Sequence, residues 1–111
     1  MGKLGLFIGM SKTNLIKNYL DKRFEDSRLM DDGSPRVFVT TSDGKDALRF
    51  GVMDKAVEGK LMVVMNRRDV FAIQHMFGLT YSNSEKALMD YILDVFGFDK
   101  SLDAHPITID L

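Results

Sequence analysis

Few side chains in this sequence are equipped for chemistry. Cysteine is absent, which removes a thiolate nucleophile, a thiolate metal site and a disulfide framework at once. Two histidines remain, His75 and His105. Either would act as a general base only beside a nucleophile and a third group that orients the ring. Lys12 or Asp43 would have to assist, and no complete set of that kind can be named. His75 reads as a half-buried helix residue, and His105 falls in a predicted loop before Pro106. Asp90 and Asp94 lie one helical turn apart, with Lys86 one turn before Asp90. That spacing makes an ion-paired, solvated stripe rather than a pair of catalytic carboxylates. No catalytic, cofactor-binding or metal-binding residue is assigned, and an enzyme is the least supported class.

Two loops invite a ligand and fail on detail. Gly9-Met10-Ser11-Lys12-Thr13 stands between a predicted strand and a predicted helix, where a phosphate-binding loop would stand. Such a loop needs glycines so that backbone N–H groups can close around phosphate oxygens. With Lys12-Thr13 in the Lys-Ser/Thr places, Ser11 and Leu6 occupy both glycine positions. A capped helix start with weak anion affinity is what remains at Ser11-Lys12-Thr13. Asp31-Asp32-Gly33-Ser34 lacks the alternating ligands and terminal glutamate of a calcium loop and reads as a turn.

Nucleic-acid contact has two candidates. Phe71–Ile92 holds two helical stretches around Gly78-Leu79-Thr80 and resembles a helix-turn-helix reader. Gln74 and Ser84 stand where that motif packs small or apolar groups. Glu85, Asp90 and Asp94 on the second helix would repel phosphates. A helical hairpin laid on a sheet accounts for the same pattern. The other candidate is the basic first half, through Lys12, Lys17, Lys22, Arg23 and Arg28. Residues 1–68 hold 13 Lys/Arg against 9 Asp/Glu, or +4, and residues 69–111 hold 2 against 7, or −5. The sum is the −1 of the whole chain, too little for a generic polyanion binder. Pairs such as Lys17–Asp21 dilute the basic helix further.

The elements that must position these residues are clear in outline. Leu4–Gly9 reads as a first strand and Lys12–Phe24 as a helix capped by Ser11 or Thr13. Its apolar stripe is Leu15, Ile16, Tyr19, Leu20 and Phe24. Arg36–Met53 alternates like a hairpin about Ser42-Asp43-Gly44-Lys45, with Gly51 a candidate bulge. Leu61–Met65 is apolar without alternation, the pattern of an inner strand. Asn66 caps a helix to Phe77, with Asp69 favourably placed in its first turn and Gly78 just past its end. Val70, Phe71, Ile73, Met76 and Phe77 form its apolar side.

The stretch Ser82–Phe98 is the most apolar helix. Ser82 and Glu85 have the spacing of a capping box, and greasy positions cover roughly two thirds of the circumference. Asp99–His105 is a loop, and Pro106 opens a last strand with Ile107, Ile109 and Leu111 on one face. The expected fold is a single α+β domain over residues 1–111. It has a mixed or antiparallel sheet of about five strands with three helices, in the order β-α-β-β-β-α-α-β. The longest strongly apolar run is far short of a membrane span, so a cytoplasmic location is expected.

From this the expected function is contact with another protein. A small intracellular regulator, inhibitor or adaptor fits, as does a homodimer. Compact inhibitors encoded by viruses or mobile elements have this size and plainness. Met89 and Leu93 widen the apolar side of the last helix beyond what a small body hides with ease. With Lys86, Asp90 and Asp94 they are the expected contact residues. The alternative is a nucleic-acid-binding regulator using Lys12, Lys17, Lys22, Arg23 and Arg28.

Overall fold

A computed structural model of the chain describes residues 11–25, 36–39, 48–55, 60–99 and 103–110. Strand β3 (Lys60–Asn66) lies at the middle of its sheet. Leu61, Val63 and Met65 are buried on one face, while Met62 and Val64 are half-covered on the other. The inner position expected for this strand is met, because it pairs on both edges. β2 (Arg49–Lys55) runs antiparallel to it, and β4 (Asp103–Ile109) runs parallel. β1 (Arg36–Val39) adds antiparallel to β2, giving the order β1-β2-β3-β4. A parallel partner cannot follow through a tight turn and needs a crossover. Helices α2 (Arg67–Phe77) and α3 (Tyr81–Phe96) supply it, and α1 (Lys12–Glu25) precedes the sheet in the chain.

The class is α+β, with three helices and a mixed sheet among the described residues. That sheet has four strands, not the expected five. Leu4–Gly9 lies outside the described residues, as do Ser42–Lys45 and the acidic turn Asp31–Ser34. β4 begins three residues before Pro106, so residues 103–105 of the expected loop are strand, while residues 100–102 lie outside the described residues. The register from Lys60↔Asp103 to Asn66↔Ile109 explains this, since pairing with β3 holds the earlier residues extended. Pro106 then sits mid-strand opposite Val63. Its missing N–H is tolerable because β4 ends the described sheet. Gly51 forms no bulge: it pairs in unbroken register with Val37 on one side and Val64 on the other.

Local chemistry sets the helix ends. The Asn66 side chain accepts the Arg68 N–H at 3.2 Å, capping α2 as its type and place suggest. Gly78 closes that helix in the left-handed region at φ 64°, where a side chain would be strained. At α3 the expected cap is wrong. Thr80, not Ser82, accepts the Asn83 N–H at 3.1 Å, and the helix starts at Tyr81. Glu85 does not fold back to complete a box. Its carboxylate accepts the Thr108 hydroxyl and ties α3 to β4. Ser84, standing where a helix-turn-helix motif would pack an apolar group, is fully buried and donates its hydroxyl to the Thr80 carbonyl at 2.7 Å.

The core lies between the helices and one face of the sheet. Phe50 and Val52 of β2 stand opposite Met65 and Val63 of β3. Ile16 and Leu20 from α1, Val70 and Ile73 from α2, and Leu88, Ile92 and Leu93 from α3 join them in one cluster. Fully burying one such side chain contributes about 1.5–3 kcal/mol. An edge-on ring contact joins the cluster to its margin, Phe50 meeting Phe96 at 5.5 Å, and another lies within the margin, Tyr19 meeting Phe77 at 5.8 Å. Two members of the expected α2 stripe stand outside it: Phe71 is 49% exposed and Met76 56%. Only Val70 and Ile73, three positions apart, reach the core from α2, and Phe71 turns to the Tyr81 ring instead. No helix among the described residues is long and apolar enough to cross a membrane.

Candidate functional site

A cleft of about 480 Å³ lies between helices α1 and α3. That volume falls within the range of small-ligand and peptide sites. Its apolar lining is Ile16 and Leu20 of α1, Leu79 of the α2–α3 connection, and Ala87 of α3. Ala87 carries a single methyl group, too little to fill the space beside Ile16. The α1 bank carries Lys12, Thr13 and Lys17. The α3 bank carries Asn83, Lys86, Asp90, Tyr91 and Asp94. These fall at helical spacing, so the bank is one continuous stripe.

The cleft is cross-linked at one point. Asp21 of α1 accepts from Lys17 at 2.8 Å on its own helix and from the Tyr91 hydroxyl at 3.0 Å across the gap. The Lys17 hydrogen bond holds the Asp21 carboxyl below its usual range, with Tyr91 adding to the effect. Lys17 is raised in turn, first by its bond to Asp21, with the Asp94 charge also contributing. Burial raises the Tyr91 phenol, and Asp21 and Asp94 reinforce the shift. Lys86 pairs with Asp90 at 3.2 Å, as their spacing suggests. Lys12 and Asp94 enter no ion pair among the described residues and are exposed. The arrangement suits recognition of a partner carrying both charge signs over an apolar strip.

The two residue sets singled out in the sequence are regrouped here. Lys12 and Lys17, from the basic set, and Lys86, Asp90 and Asp94, from the contact set, line one cleft. The rest do not join them. Leu93 is 3% exposed within the core, and Met89 is half-buried against it, so neither forms the open greasy patch expected of them. The sheet and the neighbouring helices cover that side of α3. Lys22 is exposed on another face of α1. Arg23 swings to Asp69 at 3.3 Å and stacks over the Tyr19 ring. The basic stripe is therefore broken, and Arg28 lies outside the described residues. At the start of α1 the Ser11 hydroxyl already accepts the Asn14 N–H, so the expected anion position is occupied by its own cap.

Neither histidine lines the cleft. His75 is exposed in the last turn of α2, not half-buried as expected. His105 lies in β4 rather than a loop, its Nε2 2.9 Å from Asp103. Asp43 is outside the described residues. Among the described residues no group of three or more His, Asp or Glu is placed to hold a metal ion.

Sequence reasoning missed a second polar centre at Asp69. This carboxylate is buried and accepts the Arg49 backbone N–H at 3.1 Å as well as the Arg23 guanidinium. It joins α1, the start of β2 and α2. Burial pushes it up to about 6, and the Arg49 N–H and the Arg23 charge only partly offset that rise. It also missed Tyr91 as a cleft residue, reading it as part of the apolar stripe. The one available signal was its hydroxyl, which needs a partner when buried. The chain matches no family model, and comparison with curated proteins and with solved structures gave no match.

Proposed function

We propose that this chain is a small protein-interaction module, a regulator, inhibitor or adaptor acting by surface contact, and that the α1–α3 cleft is its contact surface. One observation carries this reading. An apolar strip of helix-groove dimensions is flanked by a lysine bank and an aspartate-bearing bank. A helix or extended segment laid in such a groove is held by apolar anchors and set in register by rim charges. The stripe from Asn83 to Asp94 is about 16 Å long at the helical rise, enough for three turns of an incoming helix.

Filling the groove tests the reading. Ala87→Trp places a large side chain in the cleft from a half-buried position, and Phe71→Ser alters an exposed surface outside the cleft lining as a control. Affinity capture from the native cell with wild type and both variants should retain one partner with wild type and Phe71→Ser and lose it with Ala87→Trp. Identical proteins captured by all three would refute the cleft as the contact surface.

A further inference from the structure

We propose that the occupant of the α1–α3 cleft is a second copy of this chain, docked about a twofold axis. The axis lays the α1 bank of each copy along the α3 bank of the other. The proposal rests on the cleft being a contact surface and names what fills it.

Charge complementarity carries the choice. A twofold interface must be self-complementary, because the same patch meets itself. The α1 bank carries Lys12 and Lys17 and the α3 bank carries Lys86, Asp90 and Asp94, with Lys17 paired to Asp21 and Asp90 paired to Lys86 on their own helices. A half turn about an axis along the cleft sets Lys12 of each copy against the Asp94-bearing bank of the other. The two rim charges without an ion pair among the described residues, Lys12 and Asp94, are of opposite sign and stand on opposite banks. The apolar lining at Ile16, Leu79 and Ala87 is then closed off from bulk water on both copies together.

Charge reversal decides the matter. Lys12→Glu and Asp94→Lys alter exposed side chains, so both variants should keep the wild-type circular dichroism. Sedimentation equilibrium should find wild type as a dimer that weakens with added salt. Each variant alone places like charges together twice and should dimerise about tenfold more weakly. An equimolar mixture of the two variants restores both opposite-charge pairs and should recover dimer at the wild-type concentration. A wild-type chain that stays monomeric, a dimer indifferent to both variants, or a mixture no tighter than its components would overturn the proposal. If wild type is monomeric and Ala87→Trp still abolishes capture of another protein, the cleft keeps its role as a contact surface and only the second copy is excluded. If neither effect is seen, both readings fail.

Discussion

Asp69 and Asp90 each sit on a helix beside a cation at almost the same distance, Arg23 at 3.3 Å and Lys86 at 3.2 Å. Their surroundings are opposite. The Asp69 side chain is 6% exposed and lies where α1, β2 and α2 meet. The Asp90 side chain is 41% exposed on the rim of the cleft. Water around Asp90 solvates the charge and screens its partner, so the pair adds little to stability. Around Asp69 the lost hydration outweighs an arginine and a backbone N–H, and the carboxyl is pushed up to about 6. Contact distance alone therefore says nothing about which ion pair matters. Burial decides, and it assigns Asp69 to the fold and leaves Asp90 on the solvated rim.

The sharpest way to break this contrast is acid. The folded value for Asp69 lies above its ordinary 3.8. Its contribution to stability is therefore complete below about pH 3.8 and is lost as pH rises through about 6. Urea unfolding of wild type and Asp69→Asn at pH 7, 5.5 and 4 should show wild type gaining on the variant as pH falls. The relative gain over that window should be about 2.5 kcal/mol. A constant difference would mean that Asp69 is better hydrated than its position indicates.

A smaller effect is expected from its partner. Arg23→Ala removes the facing cation and should cost about 2 kcal/mol at pH 7, where the carboxylate is ionised. The loss should shrink at pH 4.5, where Asp69 carries a proton. Lys86→Ala is the matched test on the rim and should cost less than about 0.5 kcal/mol at either pH. If the two alanine variants proved equally costly in urea, the contrast between core and rim would collapse.

Much of the local structure was legible because short-range chemistry sets it. Asn66 and Gly78 bound α2 where their types imply, and Lys17–Asp21 and Lys86–Asp90 pair at one-turn spacing. The cap of α3 was misread because Thr80 and Ser82 are both competent hydroxyls two residues apart. What chose Thr80 lies elsewhere in the fold: Glu85, needed for a box with Ser82, is engaged by Thr108 of β4. The same holds for Leu93. Its helix is greasy on more than one side, and only the placement of the sheet and the other helices shows that this side is covered.

The candidate site was legible in parts but not as a whole. Lys12, Lys17, Lys86, Asp90 and Asp94 were all singled out, but in two unrelated sets, because 55 residues, 26–80, lie between α1 and α3 in the chain.

Taken by itself, the order of residues determined the α+β class, the inner strand at Leu61–Met65, the extent of α2 and the surface ion pairs. These follow from interactions within a few residues of one another. Only the tertiary structure decided that α1 and α3 enclose a common cleft, that Asp69 is cut off from water and that Leu93 is covered. Those facts depend on which distant segments exclude solvent together, and solvent exclusion belongs to the packed chain rather than to any stretch of it.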